Sequence, residues 1–439
     1  MRSRPVKTRP VTIRPVNRRH AAARLTLLSA ALALCGCSSL PPGGALAAES
    51  GQVQQAWGPI RPGFTAHDTA AQTDGRVVVF GVGGGDYVFA RYLAGGQLDP
   101  SFGAAGEVRL PRTGQGGPAE VLRLTVGGDG KVLALGGQAL LRLRPEGQPD
   151  PAFGQGGRVT AGLPATPQAL AALPDGRVLV AGGRELSADS AAPASAVVLT
   201  RLLPNGEVDP GFGAGGSVVT AVDDSASAFS LWPLADGGAL VGGVALSLDG
   251  GSLDGGTYSR WVVARYTADG ALDPSFGEGG VATVREDRFA AGRPGAVAVD
   301  ASGRVLVAGF LSSGVCTVAR LLPSGERDPG WVYETVSDLR LAPNGDGVGG
   351  EGAAAPAAGV SLARLPGGQV ALGGCAQFSP DASGQEQARP VLVRLDPDGG
   401  ADLSVGSEGL QAVPDSAQVE ATPQGQLLVG LDPVTQLEP

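Results

Sequence analysis

Asp175-Gly176-Arg177-Val178-Leu179-Val180-Ala181-Gly182, followed by Asp209-Pro210-Gly211-Phe212-Gly213, is the stretch that decides how this chain folds. Its first half is a tight turn, whose glycine tolerates positive φ, running into an apolar β-branched strand. That half occurs seven times, opening at Gly75, Gly130, Gly176, Gly237, Gly303, Gly368 and Gly425. The second half recurs as Asp99-Pro100-Ser101-Phe102-Gly103, Asp150-Pro151-Ala152-Phe153-Gly154 and Asp273-Pro274-Ser275-Phe276-Gly277. Weaker copies stand at Asp328-Pro329-Gly330-Trp331 and Asp402-Leu403-Ser404-Val405-Gly406.

Between these echoes each unit has room for four strands. A short apolar run such as Ala169-Leu170-Ala171-Ala172-Leu173 comes first, then the turn and the Arg-Val-Leu-Val-Ala-Gly strand. The third has the form Val318-Ala319-Arg320-Leu321 or Val263-Ala264-Arg265-Tyr266, and the corner then leads to a fourth, such as Gly216-Ser217-Val218-Val219-Thr220. Four antiparallel strands in units of 46 to 66 residues point to propeller blades, because β-helices and solenoids use shorter units. The seventh unit ends at Val434-Thr435-Gln436-Leu437-Glu438-Pro439 without a fourth strand. Ala56-Trp57-Gly58, with Gly63-Phe64-Thr65 after it, reads as a worn corner and the missing strand. The expected fold is therefore all-β, a seven-bladed β-propeller of four-stranded antiparallel blades closed by N- and C-terminal strands. An eighth unit hidden in residues 337–360 is the competing count.

The trio of Asp-Gly-Arg-Val-Leu-Val-Ala-Gly, Val-Ala-Arg-Leu and Asp-Pro-Ser-Phe-Gly resembles the delta-60 repeat family over nearly everything from residue 51 onward. The resemblance implies a secreted or surface bacterial propeller of largely unknown function. Units five and six depart from it at the corner.

Residues 1–24 are basic and free of acids, Leu25 to Leu34 are apolar, and Cys35-Gly36-Cys37-Ser38-Ser39 follows, as in a secretion signal. The apolar run is about half the roughly 20 residues a membrane-spanning helix needs. Leu34-Cys35-Gly36-Cys37 resembles the lipobox of bacterial lipoproteins, which makes Cys37 the lipidated first residue of the mature protein. The expected layout is a lipoprotein-type signal peptide over 1–36, a flexible linker over 37–50 and the propeller over 51–439. The protein is then lipid-anchored in the cell envelope. Cys35 departs from the lipobox, and cleavage after Ala45-Leu46-Ala47 would instead release a secreted or periplasmic soluble protein. The net charge is −9, and removing the eight basic residues of the first 24 leaves about −17. An acidic globule is repelled by nucleic acid and by anionic headgroups, so nucleic-acid binding is not expected and membrane contact runs through the lipid alone.

Candidate functional residues are few. Phe102, Phe153, Phe212, Phe276, Trp331 and Trp57 recur with constant neighbours, as wedges between units do. Arg91, Arg142, Arg201, Arg265, Arg320 and Arg394 read as structural cations paired with an acid such as the corner Asp. His67 is the one histidine beyond the signal, too little for a histidine metal cage or a Ser-His-Asp triad. The inner strands offer His67, Asp68 and Glu420 but no recurring acid. Ser247 to Gly256 carries two Asp-Gly-Gly copies but lacks the oxygen spacing of a calcium loop. Neither a metal nor a cofactor nor a catalytic residue is expected. Cys316 and Cys375 are placed at one rim of adjacent units, where export favours a disulfide, though spacing alone leaves the bond open.

The loops between second and third strands are short in units two and seven. They are long in unit three (Arg184 to Ser195), unit four (Val244 to Arg260) and unit six (Ala376 to Pro390). Tyr258, Arg260 and Trp261 are residue types that anchor interfaces, so this rim is the expected binding surface. The functional expectation is a monomeric, non-catalytic binding or scaffolding propeller holding an envelope protein or glycan. The alternative is a glycan-active propeller enzyme, a lyase or hydrolase.

Overall fold

The computed structural model describes residues 55–60, 62–112, 121–164, 166–185, 195–247, 258–287, 293–310, 316–331, 339–341, 360–380, 386–402, 404, 410–413, 419–421, 426–429 and 434–437. Cys37 and the signal, linker and Ala45-Leu46-Ala47 segments lie outside them, as does the Asp-Gly-Gly loop after Ser247.

The chain is an all-β propeller. In unit one Thr65–Ala71, Val77–Gly83, Asp86–Tyr92 and Glu107–Pro111 pair antiparallel in chain order, and each other unit repeats this plan over its described residues. Val132–Gly136 and Ala139–Leu143 of unit two are buried along their whole length, because middle strands are covered on both faces by neighbouring sheets. Inner strands alternate, as in Thr166–Ala172, where one side packs and the other is partly open. Units three and four share one eight-stranded sheet through a single parallel bridge, Ser195 to Ser225.

The first strands pack on one another in chain order: Thr65–Ala71, Leu122–Val126, Thr166–Ala172, Ser225–Pro233, Arg293–Val299, Ser361–Arg364 and Val419–Ala421. The last packs back on the first. Its sheet, Val419–Ala421, Leu427–Val429 and Val434–Leu437, takes its outermost strand from the N-terminal side, Gln55–Ile60, which runs antiparallel to Val434–Leu437.

Two expectations shift here. The closing strand contains Trp57 instead of following it, and Gly63-Phe64-Thr65 leads into the inner strand of unit one, with Phe64 buried. Pro59 within Gln55–Ile60 reads as a strand breaker but sits on an edge, where no ladder donor is needed, and the register is bulged on both sides of Trp57. Within 337–360, Leu339–Leu341 pairs with the unit-six strand Val370–Pro380, beyond Ser361–Arg364 on the same partner. It extends that sheet and starts no other among the described residues.

Candidate functional site

The most regular polar groups of the molecule are spent on joining units. The third-strand arginines meet the corner aspartates eight residues on: Arg91–Asp99 at 2.8 Å, Arg142–Asp150 at 2.9 Å, Arg201–Asp209 at 2.7 Å and Arg320–Asp328 at 2.7 Å. Arg265–Asp273 and Arg394–Asp402 follow at 3.1 and 3.2 Å. Each guanidinium of Arg91, Arg142, Arg201 and Arg320 also lies over the aromatic ring of its own corner, 4.2 to 4.6 Å from the centroid. Arg91, Arg201 and Arg320 donate onward to carbonyls of the next unit, those of Pro145, Ala268 and Pro397. Burial works to raise the Asp99 carboxyl, but Ser101 and Arg91 outweigh it and hold the pKa at about 2. The corner is thus a fastener, as its regular recurrence indicated.

On the inner wall the regular plan is broken. The first strands of units one, three, four and five each carry a β-bulge, at which the cross-strand register skips over His67, Gln168, Phe229 and Gly295. A bulge re-aims the side chain it carries. In units one and three the facing strand leaves room for the bulge only because it carries glycine: a Cβ on Gly81 would stand 2.0 Å from the Thr65 carbonyl oxygen, and one on Gly182 would stand 2.2 Å from that of Thr166. The glycine that ends the second-strand run, Gly81 in unit one and Gly182 in unit three, was the available signal for these two bulges.

Among the described residues, inner strands of adjacent units do not ladder with one another, and side chains stitch several of them to neighbouring backbones. Asp68 Oδ2 accepts the Leu124 amide of unit two at 2.7 Å while Oδ1 accepts that of Thr69 at 2.9 Å. Ser361 Oγ of unit six accepts the Val419 amide at 2.7 Å. Glu420 Oε1 accepts the Ala71 amide of unit one at 3.1 Å, across the seam where the ring closes. Glu420 Oε2 is buried and finds no hydrogen-bond partner among the described residues. Burial drives the Glu420 carboxyl up to about 8, with Asp68 adding to the rise. Burial likewise lifts Asp68 to about 6, against the opposing pull of Arg123 and the two amides.

The rim predicted to bind looks different from its sequence. In unit four the strands Ala239–Ser247 and Tyr258–Tyr266 stay paired out to Ser247 and Tyr258, so both ends of what reads as a loop are paired strand. The unit-six strands Val370–Pro380 and Glu386–Leu395 do the same. Trp261 is only 2% exposed and packs with Val244, Val263 and Phe276, which places it in the core and not on the rim surface. Arg260 forms an ion pair with Asp223. The Tyr258 side chain lies outside the described residues. Cys316 and Cys375 are brought together as a disulfide with Cα atoms 6.1 Å apart, tying unit five to unit six. Cys375 sits mid-strand, because its strand runs on to Pro380.

Among the described residues, cavities indent the opposite rim, the one that carries the Asp-Gly turns. One of about 320 Å³ between units two and three is lined by Asp129, Lys131, Arg142 and Asp175. One of about 150 Å³ between units one and two is lined by Gln72, Asp74, Arg76 and Arg91. Gly127 and Gly128 border both, standing where other units carry side chains.

Residues 72–102, 173–212 and 236–276 match the profile of a family described as a domain of unknown function (DUF5122) beta-propeller. No curated protein matches the chain. Among solved structures it is similar to a protein of unknown function from Bacteroides caccae, at 14% identity and TM-score 0.37, covering 76% of this chain and 93% of that one. It is also similar to the WD40 beta propeller domain of Doa1, at 12% identity and TM-score 0.44, covering 88% and 96%. Virginiamycin B lyase from Staphylococcus aureus follows at 10% identity and TM-score 0.43, covering 86% and 96%.

Proposed function

We propose that this chain is a seven-bladed, non-catalytic binding or scaffolding propeller of the bacterial cell envelope, built on repeats of the delta-60 type. Its partner is an envelope protein or glycan that docks on the rim raised by the unit-four and unit-six hairpins. The count of seven takes the eight-stranded sheet as two blades, in keeping with the seven turn-and-strand runs of the sequence.

The observation that carries the reading is the uneven height of that rim. Unit four builds its second and third strands from nine residues each, unit two from five. At about 3.4 Å per residue the unit-four wall stands roughly 14 Å taller. The Cys316–Cys375 bond stiffens the neighbouring wall between units five and six. A fixed, asymmetric wall on a repetitive scaffold suits recognition of one partner. The enzyme reading would draw on Asp68 and Glu420, whose perturbed carboxyls are of the kind found at catalytic sites. Three of their four oxygens are occupied by backbone amides, which favours a structural role.

The test replaces residues 246–259 and 377–389 each by Asn-Gly, which keeps the core pairings Val244–Trp261 and Cys375–Val391. Trimmed protein that folds but no longer captures the partners taken from envelope extracts by the parent supports the rim. Identical partner profiles would remove the site from it. Export and anchoring rest on Cys37: Cys37→Ala should abolish the lipid labelling and detergent partitioning of the parent, a variant that still partitions would overturn the lipobox reading, and a parent that neither labels nor partitions would favour cleavage after Ala47.

A further inference from the structure

The seam between the last inner strand, Val419–Ala421, and the first, Thr65–Ala71, joins the two ends of the sequence. It is held by a carboxyl group with one oxygen satisfied and one not. Glu420 Oε1 takes the Ala71 amide at 3.1 Å, and Oε2 is buried with no partner among the described residues. A buried carboxylate with an open oxygen is costly, because desolvation falls hardest on the charged form. A proton on that oxygen removes the charge and leaves the Ala71 bond in place.

Among the described residues the surrounding charges do not offer an alternative. Asp68, on the strand packed against Glu420, is the near charge and has the same sign. Both Asp68 oxygens already accept amides, and its own balancing cation, Arg123, comes from unit two. Arg364 on the unit-six inner strand turns its guanidinium to the Val299 carbonyl of unit five. His67 neighbours Asp68 on the unit-one strand, and the second strand of the closing sheet, Leu427–Val429, brings only apolar side chains. The unit-six strand Val370–Pro380, which also packs on Val419–Ala421, contributes its disulfide-bonded Cys375 and no described acid or base.

We propose that Glu420 is a proton-operated latch on the ring seam: protonated, it holds the closing sheet on unit one, and loss of its proton to water loosens that contact. The direction follows from linkage. A carboxyl held at about 8 in the closed ring and near 4 to 5 when exposed stabilises closure fully below the exposed value. That contribution fades as pH rises through the closed value. Seam opening then increases about tenfold per pH unit up to pH ~8 and levels off above it. Asp68, lifted to about 6, adds to the slope only below that value.

The measurement is amide hydrogen exchange on the full chain between pH 6 and 9, corrected for intrinsic rates. It compares Ala71 and Leu428 at the seam with Leu135 in unit two, for the parent and for Glu420→Gln. The glutamine keeps the Ala71 acceptor and cannot ionise. The latch predicts seam opening that climbs about tenfold per unit to pH ~8 in the parent, is flat in Glu420→Gln, and leaves Leu135 unaffected. A flat parent profile overturns the proposal even if the variant fails to fold. So does a slope that persists in Glu420→Gln, or one shared equally by Leu135. Repeating the parent profile with millimolar calcium tests the remaining reading of the open oxygen: protection of the seam by calcium that disappears in Glu420→Gln would make it a cation ligand and overturn the latch.

Discussion

Phe153 is fully buried, with the Arg142 guanidinium 4.2 Å from its ring centre, and its next residue donates to the following unit through Gly154 N–H to Asn205 O at 2.7 Å. Gly154 has φ of 54° and a Cβ there would meet the Arg158 carbonyl at 2.2 Å, so only glycine closes this corner. On the far side Gly206 lies against the Phe153 ring, leaving the aromatic wedged between units two and three. Phe153→Ala should therefore destabilise the protein by about 3–5 kcal/mol in chemical denaturation, and Phe153→Leu by much less. A loss below about 1 kcal/mol for the alanine variant would mean that the aromatic is not a wedge. These roles were legible because the same residues recur with Arg and Asp always eight apart. Glu420 was visible only as an isolated polar residue, since its meaning depends on which strands adjoin in space.

At the scale of elements, strand starts were easier to read than strand ends. The Asp-Gly turns mark where second strands begin, but nothing marks where the hairpins of units four and six stop. Their strands continue through Ser247, Tyr258 and Gln377, polar or mixed residues that look like loop in one dimension. Trp261 was misplaced for the same reason: taken as the end of a loop, it is an interior strand residue opposite Val244. The bond between Cys316 and Cys375 spans 59 residues and links strands of two different sheets. By loop entropy it stabilises the chain by at most about 4 kcal/mol. The double variant Cys316→Ala, Cys375→Ala should lose up to that amount, and reductant should bring the parent to the same value without affecting the variant. A parent indifferent to reductant would mean that the bridge contributes nothing to stability.

The whole molecule is a repeat array whose ends must meet. Four-strand units, their order and the need for closure could be read from the spacing of turns and corners; the identity of the closing strand could not, because Gln55–Ile60 carries a proline and an irregular register. That closure holds the rim of the proposed binding surface in place and brings Glu420 against Ala71 at the seam. Trp57 and Gln436 face each other as Cα partners across the closing pair. Antiparallel partners lie about 4.5–5.5 Å apart, within the span a disulfide bridges. The direct measurement is to place cysteines at both positions, Trp57→Cys with Gln436→Cys, in the full chain with Cys316 and Cys375 retained, and to map disulfides under native conditions by peptide mass analysis. The closed ring predicts a 57–436 bond formed in high yield and a melting temperature above that of the same protein reduced at that bond. Thiols that remain free at both positions in the folded protein would contradict closure by the two ends of the chain.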